Sequence, residues 1–340
     1  SKRIFHRALS TTVMMKAIVQ NGFGPPQEVM QLDHQVPKPI LKRGDQVLVK
    51  IHATSVNTPD WLAAYGVPRA LRPVFGGLLC RARNRIRGYD VAGVVEQVGS
   101  KVDHVQVGDE VMGSIEEGAF AEYALVPGKN VIRKPDKISM EEAAGAIMSG
   151  ITAHSAIYEA AKVQQGQHIL INGASGSIGT FAIQMAKAQG ATVTAVCSGR
   201  NAALVKSLGA DYVVDYTKED FTASETTRYD IILDNVLNRP YEETKKVLKE
   251  DGFIVPNSAG DTDKFWGSLP QMIIHKPKNY PVPDCNPSRE NLQKVAGLIT
   301  SKKVKVVIDR VFPFEQTPEA VEYMASNRGK GNIIIKIQQD

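Results

Sequence analysis

The sequence has few cysteines and no long apolar run, and these two shortages exclude several classes of protein. Only three of its 340 residues are cysteines, Cys80, Cys197 and Cys285, which are widely spaced and odd in number. They can form neither a disulfide framework nor a CxxC metal site, so we expect a reducing compartment. No apolar run approaches the roughly 20 residues that span a bilayer, so we expect no membrane partner.

An excess of charge is also lacking. The formal net charge of +5 is too small to indicate a nucleic-acid partner. The hydrophobic share of 43% is ordinary for a globular protein. At 340 residues the chain exceeds the size at which one hydrophobic core usually stops growing, so we expect two cooperating domains.

Acidic residues are absent from positions 1–20, where Lys, Arg, Ser and Thr recur. This composition is typical of a transit peptide, which would place the protein in the mitochondrial matrix. The alternative is a leader before a start at Met14 or Met15, with a cytoplasmic location. We favour the leader because an apolar strand pattern begins directly after the methionine pair, and we treat residues 1–14 as an N-terminal extension.

The pattern of predicted secondary structure changes near residue 139. Residues 15–138 contain short β-rich runs broken by Gly and Pro, which predict an irregular, partly barrel-like β domain. Ser139 and Glu142 are spaced as a capping box that opens an Ala-rich helix. Over 139–284, apolar strands alternate with helices, which predicts βαβ units and a parallel sheet. Residues 285–340 return to the first pattern, with strands at 304–311 and 333–337.

A glycine-rich turn follows the first strand of the alternating segment. The turn reads Gly173-Ala174-Ser175-Gly176-Ser177-Ile178-Gly179 and leads into an amphipathic helix. Small residues let the backbone approach a pyrophosphate, and the helix N-terminus supplies unpaired N–H groups. A turn that needs positive φ angles would explain one glycine equally well. The position of the motif at the start of a βαβ series predicts a dinucleotide site.

The end of the second predicted strand, 192–197, lacks a carboxylate. An NAD site places Asp or Glu there to accept hydrogen bonds from the ribose 2′-hydroxyl. Here the strand is followed by Ser198, Gly199 and Arg200. Ser198 and Arg200 can hold a 2′-phosphate through charge-assisted hydrogen bonds, so the predicted cofactor is NADPH. The alternative is that Arg200 is a solvated side chain in the first turn of a helix.

Eight short motifs, in order, resemble those of the medium-chain dehydrogenase/reductase superfamily. They are KAIV at 16–19, SVN at 55–57 followed by Asp60, GYDVAGVV at 88–95, VGDEV at 107–111, GAFAEY at 118–123, NGASG at 172–176, LGAD at 208–211 and DY at 215–216. The resemblance implies an α/β fold, with a GroES-like β-rich catalytic domain over 15–138 and a Rossmann doubly wound parallel-sheet cofactor domain over 139–284. Residues 285–340 would return to the catalytic domain.

The ligands of the zinc-bearing members are missing. Those members have a cysteine at the position of Asn57, His-Glu at Tyr89-Asp90, and a lobe with four cysteines. Asn and a protonated Tyr are poor zinc ligands, so no metal site is expected. The chain therefore resembles the zinc-independent branch that includes quinone oxidoreductase and zeta-crystallin. With no zinc as Lewis acid, the substrate must already be activated.

The resemblance implies an NADPH-dependent oxidoreductase that transfers a hydride to a quinone or an α,β-unsaturated carbonyl compound, and a homodimer. One alternative is a mitochondrial-type enoyl thioester reductase, whose tyrosine falls at Pro68 here, with Tyr65 nearby. The other is a non-catalytic NADPH-binding scaffold.

The resemblance also assigns individual residues. Asn57 and Asp60 would border the substrate, with Asn57 donating to the substrate oxygen, and the proton would come from solvent, Tyr65 or Tyr89. The implied cofactor residues outside the glycine turn are Gly150, Thr152, Ser198, Arg200, Tyr216, Asn235, Arg328 and Lys330. Thr152 and Tyr216 have a second interpretation, as an ordinary helix hydroxyl and an adenine-side packing residue.

Acidic residues are absent again between Asp60 and Asp90. The same stretch contains Arg69, Arg72, Arg81, Arg83, Arg85 and Arg87. This segment is either a solvated loop or a positive rim that attracts an anionic substrate or the cofactor phosphates. An RNA-binding patch is not favoured because interleaved aromatic residues are lacking.

Overall fold

A seven-stranded sheet is assembled from both ends of the chain. In the computed structural model, which describes residues 12–69, 72–76, 82, 85–257, 283, 285–326 and 329–337, its strand order is β14-β15-β3-β5-β6-β8, with β7 paired to β3. The strands are β3 Gln46–Val56, β5 Asp90–Val98, β6 Glu110–Ser114, β7 Tyr123–Pro127, β8 Val131–Arg133, β14 Ile308–Pro313 and β15 Asn332–Lys336. Alternating valines of β3 and β5 fill the interior of this sheet, which gives the barrel-like core that the sequence predicts.

A smaller sheet and four helices complete the catalytic half. The sheet has the order β2-β1-β4, formed by β1 Met14–Gln20, β2 Met30–Pro37 and β4 Arg85–Ile86. The helices are α1 Pro26–Val29, α2 Thr58–Tyr65, α3 Arg72–Gly76 and, near the C-terminus, α10 Thr317–Ala325. Helix α10 packs against α1, α2 and β15, so the C-terminal part of the chain covers the N-terminal part.

A five-stranded parallel sheet forms the second half. Its order is β11-β10-β9-β12-β13, formed by β9 His168–Asn172, β10 Thr192–Cys197, β11 Tyr212–Asp215, β12 Tyr229–Asp234 and β13 Leu248–Pro256. Neighbouring side chains of β9 enter hydrophobic clusters on opposite faces of the sheet, Ile169 and Ile171 on one and Leu170 on the other. The order of the sheet reverses between β9 and β12, and open α/β sheets bind ligands at such a point.

Helices surround this sheet and join it to the catalytic half. They are α4 Met140–Ala146, α5 Met148–His154 with a π-helical extension Ser155–Ala160, α6 Ser177–Ala188, α7 Ala202–Ser207, α8 Tyr241–Lys245 and α9 Arg289–Thr300. The predicted capping box is present, because the N–H of Glu142 donates to Ser139 Oγ at 3.1 Å and the N–H of Ser139 donates to Glu142 Oε2 at 2.9 Å. Throughout the described segments, every helix is too short or too polar to cross a membrane.

The fold class predicted from the sequence is confirmed, but the predicted strand at 304–311 is wrong at its start. The strand begins at Ile308, because Val304 is buried among the helices and its N–H donates to Leu298 O in the turn after α9. The apolar residues before Ile308 belong to the helix-packed core, and apolar content alone does not distinguish these two environments.

Phe120 provides a test of the shared core. Its side chain is fully buried in a cluster with Ile18, Val56 and Ile333, residues from both ends of the chain. We expect Phe120→Ala to lower the free energy of unfolding by about 3–5 kcal/mol, because it leaves a cavity. Urea unfolding measures this change, with Ile40→Ala as the control, since Ile40 is 68% exposed. Equal losses in the two variants would contradict this description of the core.

Candidate active site

Asp60 ties the start of α2 to the turn before β5. Asn57 is the N-cap of α2 and forms a capping box with Asp60. Asp60 Oδ2 accepts the Asn57 N–H at 2.8 Å, and Asp60 Oδ1 accepts the Gly88 N–H at 3.0 Å. Both oxygens of a fully buried carboxylate are therefore satisfied by backbone donors.

The side chain of Asn57 lies in a second buried group of hydrogen bonds. Asn57 Nδ2 donates to Ser55 Oγ and to Asp90 Oδ2, at 2.9 Å in each case. Ser55 Oγ donates to the same Asp90 oxygen at 2.5 Å. Both amide hydrogens of Asn57 are committed to protein acceptors. This geometry favours a positioning role for Asn57 over the predicted donation to a substrate oxygen.

Burial raises the pKa values of both carboxyl groups. The pKa of Asp60 rises to about 7, because burial and the charge of Asp90 outweigh the hydrogen bonds from Asn57 and Gly88. The pKa of Asp90 rises to about 6, because burial outweighs the hydrogen bonds from Ser55 and Asn57 and the influence of the nearby Met148 N–H. Because the Met148 N–H acts on the pKa of Asp90, this carboxyl group lies at the N-terminus of α5, the helix that carries Gly150 and Thr152.

Tyr65 lies at the other end of α2 and does not join Asn57 and Asp60. Its hydroxyl donates to Glu322 Oε2 of α10 at 2.6 Å. Burial and this carboxylate raise the pKa of Tyr65 to about 12. Tyr65 and Glu322 line a shallow pocket between the two helices. The structure thus gives Tyr65 a helix-packing contact.

Tyr89 immediately precedes β5 and is half-buried. Its carbonyl accepts the Ile115 N–H at 2.9 Å and Ser114 Oγ at 3.1 Å, which holds its backbone against the loop after β6. Burial, with the charge of Asp60, raises the pKa of the phenol. Tyr89 therefore carries a neutral hydroxyl near Asp60.

The glycine-rich turn has the geometry that a pyrophosphate requires. Gly173 has a φ of +73°, which favours glycine. A Cβ at Gly179 would lie 2.4 Å from Gly173 O, so α6 can approach the turn only without a side chain there. The N-cap Gly176 supplies no side-chain acceptor, and Ser177 and Ile178 form the first turn of the helix. The residues present therefore fit an anionic cofactor.

Neighbouring amides hold the turn in place. Asn201 Nδ2 donates to Ser175 Oγ at 2.9 Å, and the Ala174 N–H donates to Val196 O of β10 at 3.0 Å. Asn235, at the end of β12, donates from Nδ2 to Asn172 O at 3.0 Å. The structure therefore places Asn235 at the switch point, as expected of a cofactor residue. Asn201 was missed because its contact joins two separate βα turns.

Ser198, Arg200 and Tyr216 lie at the ends of neighbouring strands. Ser198 is buried, Arg200 is exposed, and the Tyr216 N–H donates to Cys197 O at 3.2 Å. The carboxylate of Asp215 also lies beside them. A Cβ at Gly199 would be only 2.4 Å from Asp215 Oδ2. Burial and the hydrogen bond to Asp309 raise the pKa of Tyr323 in α10, and the charge of Arg200 opposes this rise, which places Arg200 towards α10.

The remaining residues predicted to bind the cofactor lie in three different parts of the chain. The N–H of Lys330 donates to Asp309 Oδ2 at 3.1 Å, while Arg328 lies outside the described residues. Thr152 Oγ1 is 3.4 Å from Cys285 Sγ. A Cβ at Gly150 would lie 2.8 Å from Val295 Cγ1, so helix packing accounts for this glycine.

The arginine-rich segment is partly structural. Arg87 is 3% exposed and donates to Gln20 Oε1 at 2.6 Å, to Phe75 O at 2.7 Å and to Glu117 Oε2 at 3.1 Å. Arg85 also pairs with Glu117. Neither expectation for this segment, a solvated loop or a positive rim, describes Arg87. Arg81 and Arg83 lie outside the described residues.

Comparisons with known proteins agree with this architecture. Residues 43–136 match the family model of the alcohol dehydrogenase GroES-like domain, and residues 208–335 match that of zinc-binding dehydrogenases. The chain is 33% identical to a 2-methylene-furan-3-one reductase of Solanum lycopersicum, covering 96% of this chain and 80% of that protein. It is 31% identical to a mitochondrial NAD(P)H oxidoreductase of Mus musculus, covering 97% and 92%. The structure of the quinone oxidoreductase from Coxiella burnetii has a TM-score of 0.84 and 30% identity, covering 96% and 100%.

A GroES-like β domain joined to a dinucleotide-binding parallel sheet defines a class of nicotinamide-dependent oxidoreductases. This chain belongs to the medium-chain dehydrogenase/reductase family, in its quinone oxidoreductase branch. Although one matched family model carries zinc in its name, no group of three or more His, Cys, Asp or Glu side chains that could hold a metal ion occurs within the described segments.

The raised pKa of Asp90 predicts a pH-dependent stability. Folding raises this pKa from 3.8 to about 6, so the stabilisation is fully present below the lower value and is lost as pH rises through the higher one. Asp90→Asn cannot titrate. We therefore expect its unfolding free energy to fall less than that of the wild type between about pH 4 and about pH 6.

Urea unfolding across this range measures the difference. Asp103→Asn is the control, because the Asp103 side chain is 95% exposed and should leave the pH dependence of the wild type unchanged. The same pH dependence in Asp90→Asn and the wild type would show that Asp90 keeps an ordinary pKa.

Proposed function

We propose that this protein is an NADPH-dependent reductase that transfers a hydride to a quinone or an α,β-unsaturated carbonyl compound without zinc. The observation that carries the proposal is the glycine turn: Gly179 excludes any side chain, and the N-terminus of α6 has no side-chain cap. Such a helix end supplies N–H donors and a positive dipole to a pyrophosphate.

Most of the residues that would hold the cofactor follow the carboxyl ends of β9, β10, β11 and β12, and Lys330 lies just before β15. Backbone groups of residues 173–179 would bind the pyrophosphate, and Asn235 would lie along the nicotinamide half. Ser198, Arg200 and Tyr216 would surround the 2′-phosphate, with Lys330 closing over it. When bound, NADPH supplies a hydride from C4 of its nicotinamide ring.

The absence of zinc in the proposal follows from the chemistry of residues 57, 89 and 90. The Asn57 amide and one Asp90 oxygen already bond to each other and to Ser55. A tetrahedral zinc site takes cysteine, histidine or carboxylate ligands, and this set offers a single carboxylate that is already engaged. The chain would therefore orient a substrate that is already electron-poor and stabilise the charge that develops on its oxygen.

Two relatives support the substrate class. One is named as a reductase of 2-methylene-furan-3-one, which is a conjugated enone, and the solved structure from Coxiella burnetii is named as a quinone oxidoreductase. Both substrates accept a hydride at a carbon conjugated to a carbonyl group. The enoyl thioester alternative receives less support, because Pro68 stands at the tyrosine position and Tyr65 is bonded to Glu322.

Turnover tests the proposal directly. We expect the purified protein to oxidise NADPH steadily in the presence of quinones or enones, and to keep this activity after exhaustive chelation. A panel of both substrate classes, followed by NADPH absorbance with and without chelator, measures it. Tight NADPH binding without turnover on any member would favour the scaffold function, and loss of activity together with one zinc per chain would contradict the metal-free mechanism.

Arg200 tests the cofactor preference. We expect the wild type to bind NADPH at least about tenfold more tightly than NADH, since a guanidinium–phosphate contact contributes about 1.5–3 kcal/mol. Arg200→Ala should remove much of this ratio and leave NADH binding unchanged. Titrations at fixed ionic strength measure both constants, because salt screens the contact.

Arg43→Ala is the matched control, because Arg43 is exposed and pairs with Asp45 in the catalytic half. Equal affinities for the two cofactors in the wild type would reject the NADPH assignment. A preference that survives Arg200→Ala would assign the phosphate to Tyr216 or Lys330.

The predicted homodimer and the predicted cytoplasmic location, with the mitochondrial matrix as its alternative, stay predictions. The mouse relative is named as mitochondrial, and residues 1–11 of this chain lie outside the described residues.

A further inference from the structure

We infer that the phenol of Tyr89 donates the hydrogen bond that stabilises negative charge on the substrate oxygen. This inference rests on the proposed function and assigns a donor within the same site. The sequence leaves solvent, Tyr65 and Tyr89 as equal candidates for the proton, and Asn57 as the candidate donor. The side-chain hydrogen bonds of the structure distinguish among the three residues.

Ser55, Asn57, Asp60 and Asp90 form a buried polar group, and the donors that the sequence offers besides Tyr89 are already used. Asn57 Nδ2 donates to Ser55 and Asp90, and Ser55 Oγ donates to Asp90. Tyr65 donates to Glu322 on the far side of α2. The hydroxyl of Tyr89 makes no side-chain hydrogen bond within the part of the chain that the structure describes. Of the three candidate side chains, Tyr89 is thus the one whose donor is not already engaged.

The backbone holds Tyr89 in one place. Gly88, with a φ of +93°, donates to Asp60 Oδ1 at 3.0 Å, and its carbonyl accepts the Ala119 N–H at 3.1 Å. A Cβ at Gly88 would lie 2.8 Å from the Phe120 nitrogen, so this turn cannot relax around a larger residue. Together with the two hydrogen bonds to the Tyr89 carbonyl, these contacts fix the backbone from which the phenol extends. A donor that is already positioned stabilises developing charge with less reorganisation.

The polar group faces the cofactor half of the molecule. Its Asp90 interacts with the Met148 N–H at the start of α5. Helix α5 packs directly against α6, the helix that follows the glycine turn. The charge of Asp60 acts on the phenol of Tyr89, and Asp60 accepts the Asn57 N–H at 2.8 Å, so the phenol lies near the same group.

The charges nearby favour a neutral donor. Asp60 disfavours ionisation of the phenol, and burial acts in the same direction, while Arg87 opposes both. The phenol therefore keeps its proton at neutral pH and serves as a hydrogen-bond donor rather than as a base.

Reduction of an enone requires a hydride, which bound NADPH would supply, and a proton, which water supplies. The hydride forms a C–H bond at the β carbon of an enone, and the electron pair of the C=C bond moves to give an enolate oxygen. The O–H of Tyr89 donates to that oxygen, which lowers the energy of the charged state. A proton from water then adds to the α carbon and completes the saturated ketone.

A binding experiment tests this role without turnover. p-Nitrophenolate is a coloured oxyanion, and its absorption band moves when a donor binds its oxygen. With saturating NADP+, we expect the wild type to bind it with a shifted band, and Tyr89→Phe to bind it at least about tenfold more weakly. Tyr65→Phe is the matched control and should behave as the wild type, and both variants should keep the wild-type affinity for NADPH.

Three results decide the matter. Loss of the band shift in Tyr89→Phe alone supports the role, and where enones are turned over it should accompany a fall in kcat/KM of roughly a hundredfold. An unchanged shift in Tyr89→Phe, or no phenolate binding by the wild type, overturns it. The third result separates the two proposals. If the wild type turns over no enone or quinone but shifts the phenolate band, and Tyr89→Phe does not shift it, the proposed reaction fails while the donor role of Tyr89 stands.

Discussion

One hydrogen bond across the two halves of the molecule sets the geometry of the candidate site. The N–H of Gly331 donates to Ser175 O in the glycine turn at 2.9 Å. Directly after Gly331, β15 enters the catalytic sheet between β14 and β3. Gly331 has a φ of +92°, and a Cβ there would lie 2.5 Å from Val307 O. The last strand therefore completes the catalytic sheet and fixes the cofactor turn against it.

This joint explains how residues far apart in the chain can form one site. Strand β3 ends at the Ser55 and Asn57 cluster, and it pairs with β15 on one side and with β5 on the other. The glycine turn and the buried carboxylates are thus connected through paired strands rather than through mobile loops. A hydride can pass only when donor and acceptor carbons are closely aligned, so a rigid connection of this kind suits the proposed reaction.

Local signals in the sequence predict much of the fold. Strands β9, β10 and β11, the capping box at Ser139 and the glycine turn all depend on residues within a few positions of each other, and the structure contains each of them. The candidate cofactor residues at 173–179, 198, 200 and 216 are brought to the ends of adjacent strands for the same reason. Parallel strands place their carboxyl ends together.

The contacts that define the polar group could not be predicted in this way. The pairing of Asn57 with Asp90 depends on the register between β3 and β5, which shifts between Ile51 and Ala53. The partner of Tyr65 is 257 positions away in the chain. Arg87 carries a charge that suggests exposure, but it is buried, and its guanidinium donates to Gln20, Glu117 and the carbonyl of Phe75. Each of these contacts follows from tertiary packing, which residue type does not reveal.

Isotopic labelling tests directly whether this protein transfers a hydride from NADPH to a conjugated carbon. The most direct measurement supplies NADPH with both C4 hydrogens of the nicotinamide ring replaced by deuterium and locates the label in the product of an enone by NMR. We predict deuterium on the β carbon of the saturated ketone. Label found only in water, or a product that carries no deuterium, would contradict hydride transfer in this site.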